Sequence, residues 1–107
     1  MSELHLKEGP TLADLQAYVA QMVKDRGFDE ESVSERFMLL LEEAGEFAKA
    51  ARKSQGIKFA ADSVAGELEH EAADVLILLL ALCNDLHIDL EQAVRAKEEK
   101  NKKRVWK

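Results

Sequence analysis

The chain has 107 residues and a formal net charge of −6 at pH 7, with 21 acidic and 15 basic side chains. This length predicts one domain over residues 1–107, in which residues 1–10 form an N-terminal extension. The acidic balance argues against a general affinity for DNA or RNA, whose phosphates require clustered lysine and arginine. We therefore expect no nucleic-acid polymer among its partners.

The cysteine content and the length of the apolar segments indicate in which cellular compartment the protein functions. Cys83 is the only cysteine, so an internal disulfide is excluded and a reducing compartment is favoured. The first residues lack the basic and apolar regions of a signal peptide. The longest apolar run, from Val75 to Cys83, is far shorter than the roughly 20 residues that a membrane span needs. These features predict a cytoplasmic protein that does not enter a membrane.

The first helix is predicted to open after Pro10. Thr11 is a suitable N-cap residue, and Asp14 stands at the third helical position, as in a capping box. Gly27 suits a left-handed stop at the other end.

The second helix is predicted to begin near Asp29 or Ser32 and to continue to about Lys53. Its main apolar stripe recurs at spacings of three and four residues, which is typical of an amphipathic helix. The stripe consists of Val33, Phe37, Leu40, Ala44, Phe47, Ala48 and Ala51.

The third helix is predicted from about Asp62 or Ser63 to Leu86. Between Val75 and Cys83 it is apolar on all sides, and a helix without a polar face is buried on every side. Three other helices of this length can barely surround it, and a domain this small has a limited core. We therefore expect a homo-oligomer, at least a dimer.

The fourth helix is predicted to open at Asp89, where Gln92 completes a capping-box pattern, and to reach at least Asn101. No segment shows the alternation typical of strands. The fold class predicted is all-α, a four-helix bundle completed by oligomerisation.

Two pairs of carboxylates recur on helix faces. Glu43 and Glu46 are three residues apart on the second helix, and Glu71 and Asp74 are three apart on the third. Such positions are neighbours, with Cβ atoms roughly 5–6 Å apart. Both pairs are framed by apolar residues, so the second helix buries two faces, one of them acidic. If the two helices pack antiparallel, the pairs face each other.

Facing carboxylates need compensation. At an effective dielectric of about 20, two of them about 5 Å apart repel by roughly 3 kcal/mol, so the group requires a cation or bound protons. Oxygen ligands suit Mg²⁺, Mn²⁺ or Ca²⁺, and Mg²⁺ commonly completes its shell with water and substrate phosphates. The alternative that stays open is a pair of ordinary solvated helix faces.

The residues above resemble a known family. Its signature is E-E-x-x-E followed by E-x-x-D, which here reads Glu42-Glu43-Ala44-Gly45-Glu46 and Glu71-Ala72-Ala73-Asp74. A closing pattern of Lys97, Asn101 and Arg104 also matches. The chain thus resembles, over about residues 33 to 106, the MazG-like family of all-α nucleoside triphosphate pyrophosphohydrolases.

The resemblance implies a reaction and a metal site. Family members cleave a nucleoside triphosphate between the α and β phosphates, clean the nucleotide pool, and are dimers or tetramers. The implied metal ligands, for Mg²⁺ with Mn²⁺ as a substitute, are Glu43, Glu46, Glu71 and Asp74. Glu43 or Glu46 is the expected general base for the attacking water.

Substrate binding requires cations and a surface for the base. Lys97, Asn101 and Arg104 lie at i, i+4 and i+7, so that one helical face presents all three to the phosphates, and Lys53 adds to them. Some relatives hold the base with tryptophans near the start of the chain. Here the only tryptophan is Trp106, and the aromatic candidates in that role are Tyr18, Phe28 and Phe37.

Three alternatives to this enzyme stay open. A metal-binding helical module without turnover, regulating a partner, would use the same carboxylates. A di-iron protein would use the E-x-x-H of Glu67 and His70, although ferritin-like sites need two copies. A purely structural helical dimer would need no metal.

Overall fold

The computed structural model describes residues 4–55 and 65–105. These residues form four helices and no strand, which confirms the predicted all-α class. The helices are α1 (Leu12–Asp25), α2 (Val33–Ser54), α3 (Ala65–Asp85) and α4 (Leu90–Lys102). None of the described helices is both long and apolar enough to cross a membrane.

The capping box predicted for α1 is present. The Thr11 hydroxyl accepts a hydrogen bond from the Asp14 backbone N–H at 3.0 Å, and the Asp14 carboxylate accepts one from the Thr11 N–H at 2.9 Å. Two N–H groups that the helix itself leaves unpaired are thereby satisfied. Beyond the end of α1, Gly27 has a φ of 75°, the left-handed conformation expected there.

Ser32, one of the two predicted starts, is the N-cap of α2, and Glu35 completes a capping box with it. The helix ends one residue beyond the predicted Lys53. The predicted start of α3, near Asp62 or Ser63, lies outside the described residues.

A short turn connects the end of α3 to the start of α4. The third helix ends at Asp85, one residue before the predicted Leu86. At the start of α4, the Asp89 carboxylate accepts a hydrogen bond from the Gln92 backbone N–H at 3.2 Å, which is one half of the predicted capping box. The left-handed His87, with a φ of 58°, lies in the turn between the two helices.

The third helix is central, because α1 and α2 both pack on it, while α4 packs on α1. Val19 and Met22 of α1 meet Leu80 and Ala81 of α3 in the core. The start of α2 lies beside the end of α3, since Arg36 pairs with Asp85. The two helices are therefore antiparallel, as the carboxylate pairs require.

Amide side chains fasten α1 to the turn after α3. Gln16 donates to the Asn84 side chain at 3.1 Å and to the Ile88 carbonyl at 2.6 Å, and it accepts from the Leu90 N–H at 3.1 Å. Asn84 in turn donates to the Gln16 carbonyl at 3.0 Å. These bonds satisfy backbone groups where α3 ends and α4 begins.

The face of α2 that packs on α3 is not its main apolar stripe. The periodicity had implied that the stripe is the buried face, and this prediction is wrong for the single chain. Arg36 and Ala50 are buried and Glu43 is half-buried, whereas Phe37 of the stripe is 45% exposed. The reason is electrostatic, because α3 offers Arg36 the carboxylate of Asp85. The stripe is left largely at the surface of the single chain.

The apolar run of α3 is likewise not enclosed within one chain. Leu80, Ala81, Leu82 and Cys83 are buried, but Leu76 and Leu79 lie at the surface. Leu86 and Ile88, just beyond the helix, are exposed as well.

Replacing Leu80 by alanine tests the central position of α3. Leu80 is 1% exposed, so Leu80→Ala should lower the free energy of unfolding by about 2–5 kcal/mol through lost burial and an unfilled cavity. Urea unfolding at matched protein concentration measures the change. Leu6→Ala, at an exposed leucine, should cost less than about 1 kcal/mol, and equal losses would place Leu80 outside the core.

Candidate functional site

Three carboxylates meet between α2 and α3. Glu43 of α2 and Glu71 and Asp74 of α3 each offer an oxygen atom, and these three atoms lie within 4.8 Å of one another. The antiparallel packing brings the middle of α2 beside the first half of α3, and the i, i+3 spacing of Glu71 and Asp74 turns both toward it. The structure thus brings together three of the four predicted metal ligands.

The group lacks internal charge compensation. Glu71 Oε2 is buried and has no hydrogen-bond partner among the described residues. The pKa of Glu43 is raised, first by burial, then by its hydrogen bond with Glu71 and by the negative charges of Asp74, Glu71 and Glu42. Burying an unpaired carboxylate oxygen is costly, so this group favours either a proton or a cation.

The donor set fits a hard divalent cation. All three groups supply oxygen, without nitrogen or sulfur, and such sets suit Mg²⁺ or Mn²⁺ rather than zinc or copper. The orphaned oxygen of Glu71 provides an acceptor that a cation would satisfy. With only three protein carboxylates, open coordination positions would remain for water and phosphate oxygens.

Glu46 and Asp74 depart from the expected burial. Glu46 is exposed, about one turn beyond Glu43, and is not a member of the three-residue group. Its assignment as a ligand and as a catalytic residue stays a prediction. Asp74 was expected to be at least partly buried, but it is exposed.

The predicted phosphate-binding residues lie elsewhere in the single chain. Lys97 and Asn101 line a groove formed by α4 residues alone, and α4 packs on α1. Arg104 follows the end of α4, where its N–H bonds to the Asn101 carbonyl, so it does not continue the helical face. Lys53, near the end of α2, is half-buried, ten residues beyond Glu43.

The two residues proposed for a di-iron site, Glu67 and His70, are not part of the three-carboxylate group. His70 is exposed and is not a member of it. The side chain of Glu67 lies outside the described part of the chain.

A cavity of about 360 Å³ adjoins the carboxylates. Glu43 and Asp74 form part of its wall, and α1, α2, α3 and the α1–α2 connection supply the rest. Most of its lining is apolar, consisting of Met22, Val23, Phe28, Leu39, Ile77, Leu78 and Ala81. A site with charged groups beside an apolar cavity suits a ligand that has an anionic part and a flat, mostly apolar part.

Arg36 occupies the far part of this cavity wall. Its side chain is 4% exposed, and Nη1 donates to both carboxylate oxygens of Asp85, at 2.6 Å for Oδ1. Nη2 donates to the Phe28 carbonyl, and Nε lies 3.6 Å from a carboxylate oxygen of Glu31. One guanidinium therefore joins α2, α3 and the α1–α2 connection.

The sequence analysis did not identify this ion pair, although a signal existed. Arg36, Leu39 and Glu43 follow one another at spacings of three and four on α2, and Asp85 shares the register of Asp74 on α3. Opposite charges on matching faces of antiparallel helices, at the end away from the acidic group, predict such a pair.

Comparisons with known proteins agree with this geometry. The family model described as the MazG nucleotide pyrophosphohydrolase domain matches residues 31–106. A crystal structure of iMazG from Vibrio DAT 722, in its Ctag form, is similar with a TM-score of 0.66 and 29% identity, over 87% of this chain and 99% of that one. The Ntag form gives the same TM-score and identity and is covered to 95%. No curated protein matches the sequence.

Neutralising one carboxylate should stabilise the protein without metal and weaken its response to metal. Because the folded state raises the pKa of Glu43, ionising this group opposes folding, and Glu43→Gln should raise the Tm in EDTA by several degrees. Mg²⁺ should raise the Tm of the natural sequence and have a much smaller effect on the variant. Thermal unfolding monitored by circular dichroism measures both.

Glu42→Gln is the matched control, because Glu42 is the exposed neighbour outside the three-residue group. It should retain the Mg²⁺-induced rise in Tm. An equal rise in Glu43→Gln would contradict metal binding by Glu43.

Removing the partner of Arg36 should be costly. In Asp85→Asn the buried guanidinium loses its carboxylate while Phe28 and Glu31 remain, so the free energy of unfolding should fall by about 3 kcal/mol. Asp89→Asn makes the same chemical change at an N-cap, where asparagine substitutes well. Denaturant titration of both variants makes the comparison, and equal, small losses would show that the pair contributes little.

Proposed function

Because the chain belongs to the MazG nucleotide pyrophosphohydrolase domain family, we propose that it is a Mg²⁺-dependent enzyme that hydrolyses nucleoside triphosphates, with ribose or deoxyribose, to the monophosphate and pyrophosphate. The observation that carries the proposal is that Glu43 and Asp74 of the carboxylate group also line an apolar cavity. Triphosphate and nucleoside thus have adjacent places. The proposed role is the removal of unwanted nucleotides from the pool.

The residues proposed to hold the ion are Glu43, Glu71 and Asp74, with Glu46 as a fourth ligand. Bound Mg²⁺ supplies positive charge that stabilises negative charge developing on phosphate oxygens. Its arrival would also pair the buried oxygen of Glu71 and lower the pKa of Glu43. Mn²⁺ has the same ligand preference and is the expected substitute.

Hydrolysis requires a group that takes a proton from water. Water forms a bond to the α-phosphorus. The bond from the α-phosphorus to the oxygen that bridges to the β-phosphate breaks, and pyrophosphate leaves with the electron pair of that bond. Glu46 and Glu43 are the proposed proton acceptors. The exposed carboxylate of Glu46 lies about one turn from the group, so it is accessible to solvent water.

The nucleoside is proposed to occupy the cavity beside the carboxylates. Its volume of about 360 Å³ lies within the range of small-molecule sites. Phe28, one of the three aromatic candidates from the sequence, belongs to its lining and offers a ring surface for the base. Tyr18 and Phe37 are not among the lining residues.

A second copy of the chain is proposed to complete the enzyme, as a homodimer or tetramer. Apolar side chains of α2 and α3 stay at the surface of the single chain, including Met38 at 70% and Leu41 at 73% exposure. Such a patch favours association. Lys97, Asn101 and Arg104, with Lys53, are proposed to meet the outer phosphates, and the remote position of α4 in the single chain makes donation from a neighbouring copy the simpler arrangement.

Pyrophosphate release from a panel of ribo- and deoxyribonucleoside triphosphates tests the reaction. Release should require Mg²⁺, stop in EDTA, and produce the monophosphate. Glu71→Gln should lower turnover by about 100-fold or more, because a ligand is lost, whereas Glu42→Gln should stay near the natural sequence. Release that persists in EDTA, or none across the panel from folded protein, would contradict the proposal.

Glu46→Gln in the same assay tests the fourth residue. Turnover should fall by about 100-fold or more if this carboxylate accepts the proton or binds the ion. Turnover like that of the natural sequence would show that Glu46 is not part of the site, which would then contain three carboxylates.

A further inference from the structure

We propose that Arg36 is a positioning residue for the nucleoside, and that it acts through Phe28 rather than by touching the substrate. Its guanidinium holds the backbone of Phe28, and this backbone sets where the Phe28 ring stands in the cavity wall. Because the nucleoside is placed in the cavity beside the carboxylate group, this role rests on the proposed function. The role concerns the affinity for nucleotides in general and not the choice among bases.

The α1–α2 connection has little buried surface of its own to hold it in place. It comprises residues 26–32, all of which are exposed except the half-buried Glu31. Phe28 lines the cavity although it is 46% exposed. A segment with few buried apolar contacts opens at a low cost in free energy. The position of Phe28 therefore depends on polar contacts to its backbone.

Hydrogen bonds fix the Phe28 backbone from two sides. Its N–H donates to the Val23 carbonyl of α1 at 2.8 Å. Its carbonyl accepts from Arg36 Nη2 and, at the longer distance of 3.3 Å, from the Glu31 N–H. The bonds to Val23 and Glu31 are local to the turn, whereas the bond to Arg36 joins Phe28 to the interface between α2 and α3.

Arg36 is itself held in a fixed position. Its side chain is 4% exposed, and Nη1 donates to both carboxylate oxygens of Asp85. A buried guanidinium in such a pair has few alternatives, because leaving either charge unpaired is costly. Arg36 therefore ties the position of Phe28 to α2, on which it lies, and to α3, which carries Asp85.

The same two helices carry the carboxylate group, so Arg36 relates Phe28 to the phosphate end of the proposed site. Arg36 precedes Glu43 by seven residues on α2, which is about 10 Å along a helix axis. Aromatic rings contribute to nucleotide binding by stacking on bases, and a group that is ordered before the ligand arrives loses less entropy on binding. Arg36 should thus affect affinity and leave the chemical step at the carboxylates unchanged.

The surroundings of Arg36 determine which substitution is informative. Arg36, Val23 and Ala81 line both the cavity beside the carboxylates and a second cavity of about 490 Å³. A small side chain at position 36 would remove part of the wall that the two cavities share. Lysine keeps the charge and most of the length. Its single ammonium cannot reproduce the planar fork that donates to Asp85 and to the Phe28 carbonyl at once.

The test measures kcat and KM for Mg²⁺-dependent pyrophosphate release by Arg36→Lys, Phe28→Ala and the double variant, each shown to be folded by circular dichroism. Arg36→Lys should raise KM about fivefold and leave kcat within about twofold, because only binding is lost. Phe28→Ala should raise KM about tenfold. In the Phe28→Ala background, Arg36→Lys should change KM by less than about 1.5-fold, because the two residues act through one ring.

Two further variants separate positioning from general destabilisation. Arg26→Lys is the matched control, because Arg26 is an exposed residue of the same connection and lines neither cavity. Its KM should equal that of the natural sequence. Asp85→Glu keeps the ion pair but displaces the guanidinium by one methylene group, and should raise KM as Arg36→Lys does. An unchanged KM in both Arg36→Lys and Asp85→Glu, or effects that multiply fully in the double variant, would overturn the inference.

Calorimetric binding of the four common deoxynucleoside monophosphates gives a readout that does not depend on turnover. The monophosphate that binds most tightly should lose about fivefold in affinity in Arg36→Lys, and almost nothing more when this change is added to Phe28→Ala. This binding pattern without turnover would contradict the proposed reaction and support the role of Arg36. Turnover with effects that multiply would support the reaction and overturn the role.

Discussion

Electrostatic repulsion between α2 and α3 is the constraint on which the rest of the structure depends. Glu43 faces Glu71 and Asp74 across this interface, and one oxygen of Glu71 is buried without a partner. Each close pair of ionised carboxylates opposes the packing, and the opposition is strongest where burial weakens solvent screening. Helices that pack in this way favour a compensating positive charge or a bound proton, and burial and neighbouring carboxylates raise the pKa of Glu43 accordingly. A divalent cation would compensate without leaving a carboxyl group protonated.

The other half of the same interface is stabilised by opposite charges. Arg36 and Asp85 join α2 to α3 at the end away from the carboxylates, and Arg36 also holds the Phe28 carbonyl. The interface thus has an anionic end that favours a cation and a paired end that fixes the α1–α2 connection. The apolar cavity lies beside both. Under the proposed function, this arrangement would give phosphate and nucleoside adjacent places between α1, α2 and α3.

Local features of the fold could be predicted from the sequence, because caps and periodicity are local. Thr11, Ser32 and Asp89 mark helix starts through hydrogen bonds within one turn. The carboxylate spacing likewise predicted that Glu43, Glu71 and Asp74 would lie close together, and their oxygen atoms are within 4.8 Å of one another. What could not be predicted depends on the rotation of one helix against another, which periodicity leaves open when a helix has two apolar-framed sides. The exposed stripe of α2 and the position of Glu46 outside the group belong to this class. The Arg36–Asp85 pair does not, because the spacing of charged residues on both helices contained a signal for it.

The most direct test of the central claim is calorimetric titration of the metal-free protein with Mn²⁺ in two buffers of different ionisation enthalpy near pH 5, just above the ordinary pKa of a glutamate side chain. If the carboxylates between α2 and α3 bind the ion, the natural sequence should bind Mn²⁺ and release protons, because the ion displaces a proton from the group whose pKa is raised. Glu71→Gln should bind at least about tenfold more weakly. No binding by the natural sequence, or equal binding by the variant, would contradict a metal site at this interface.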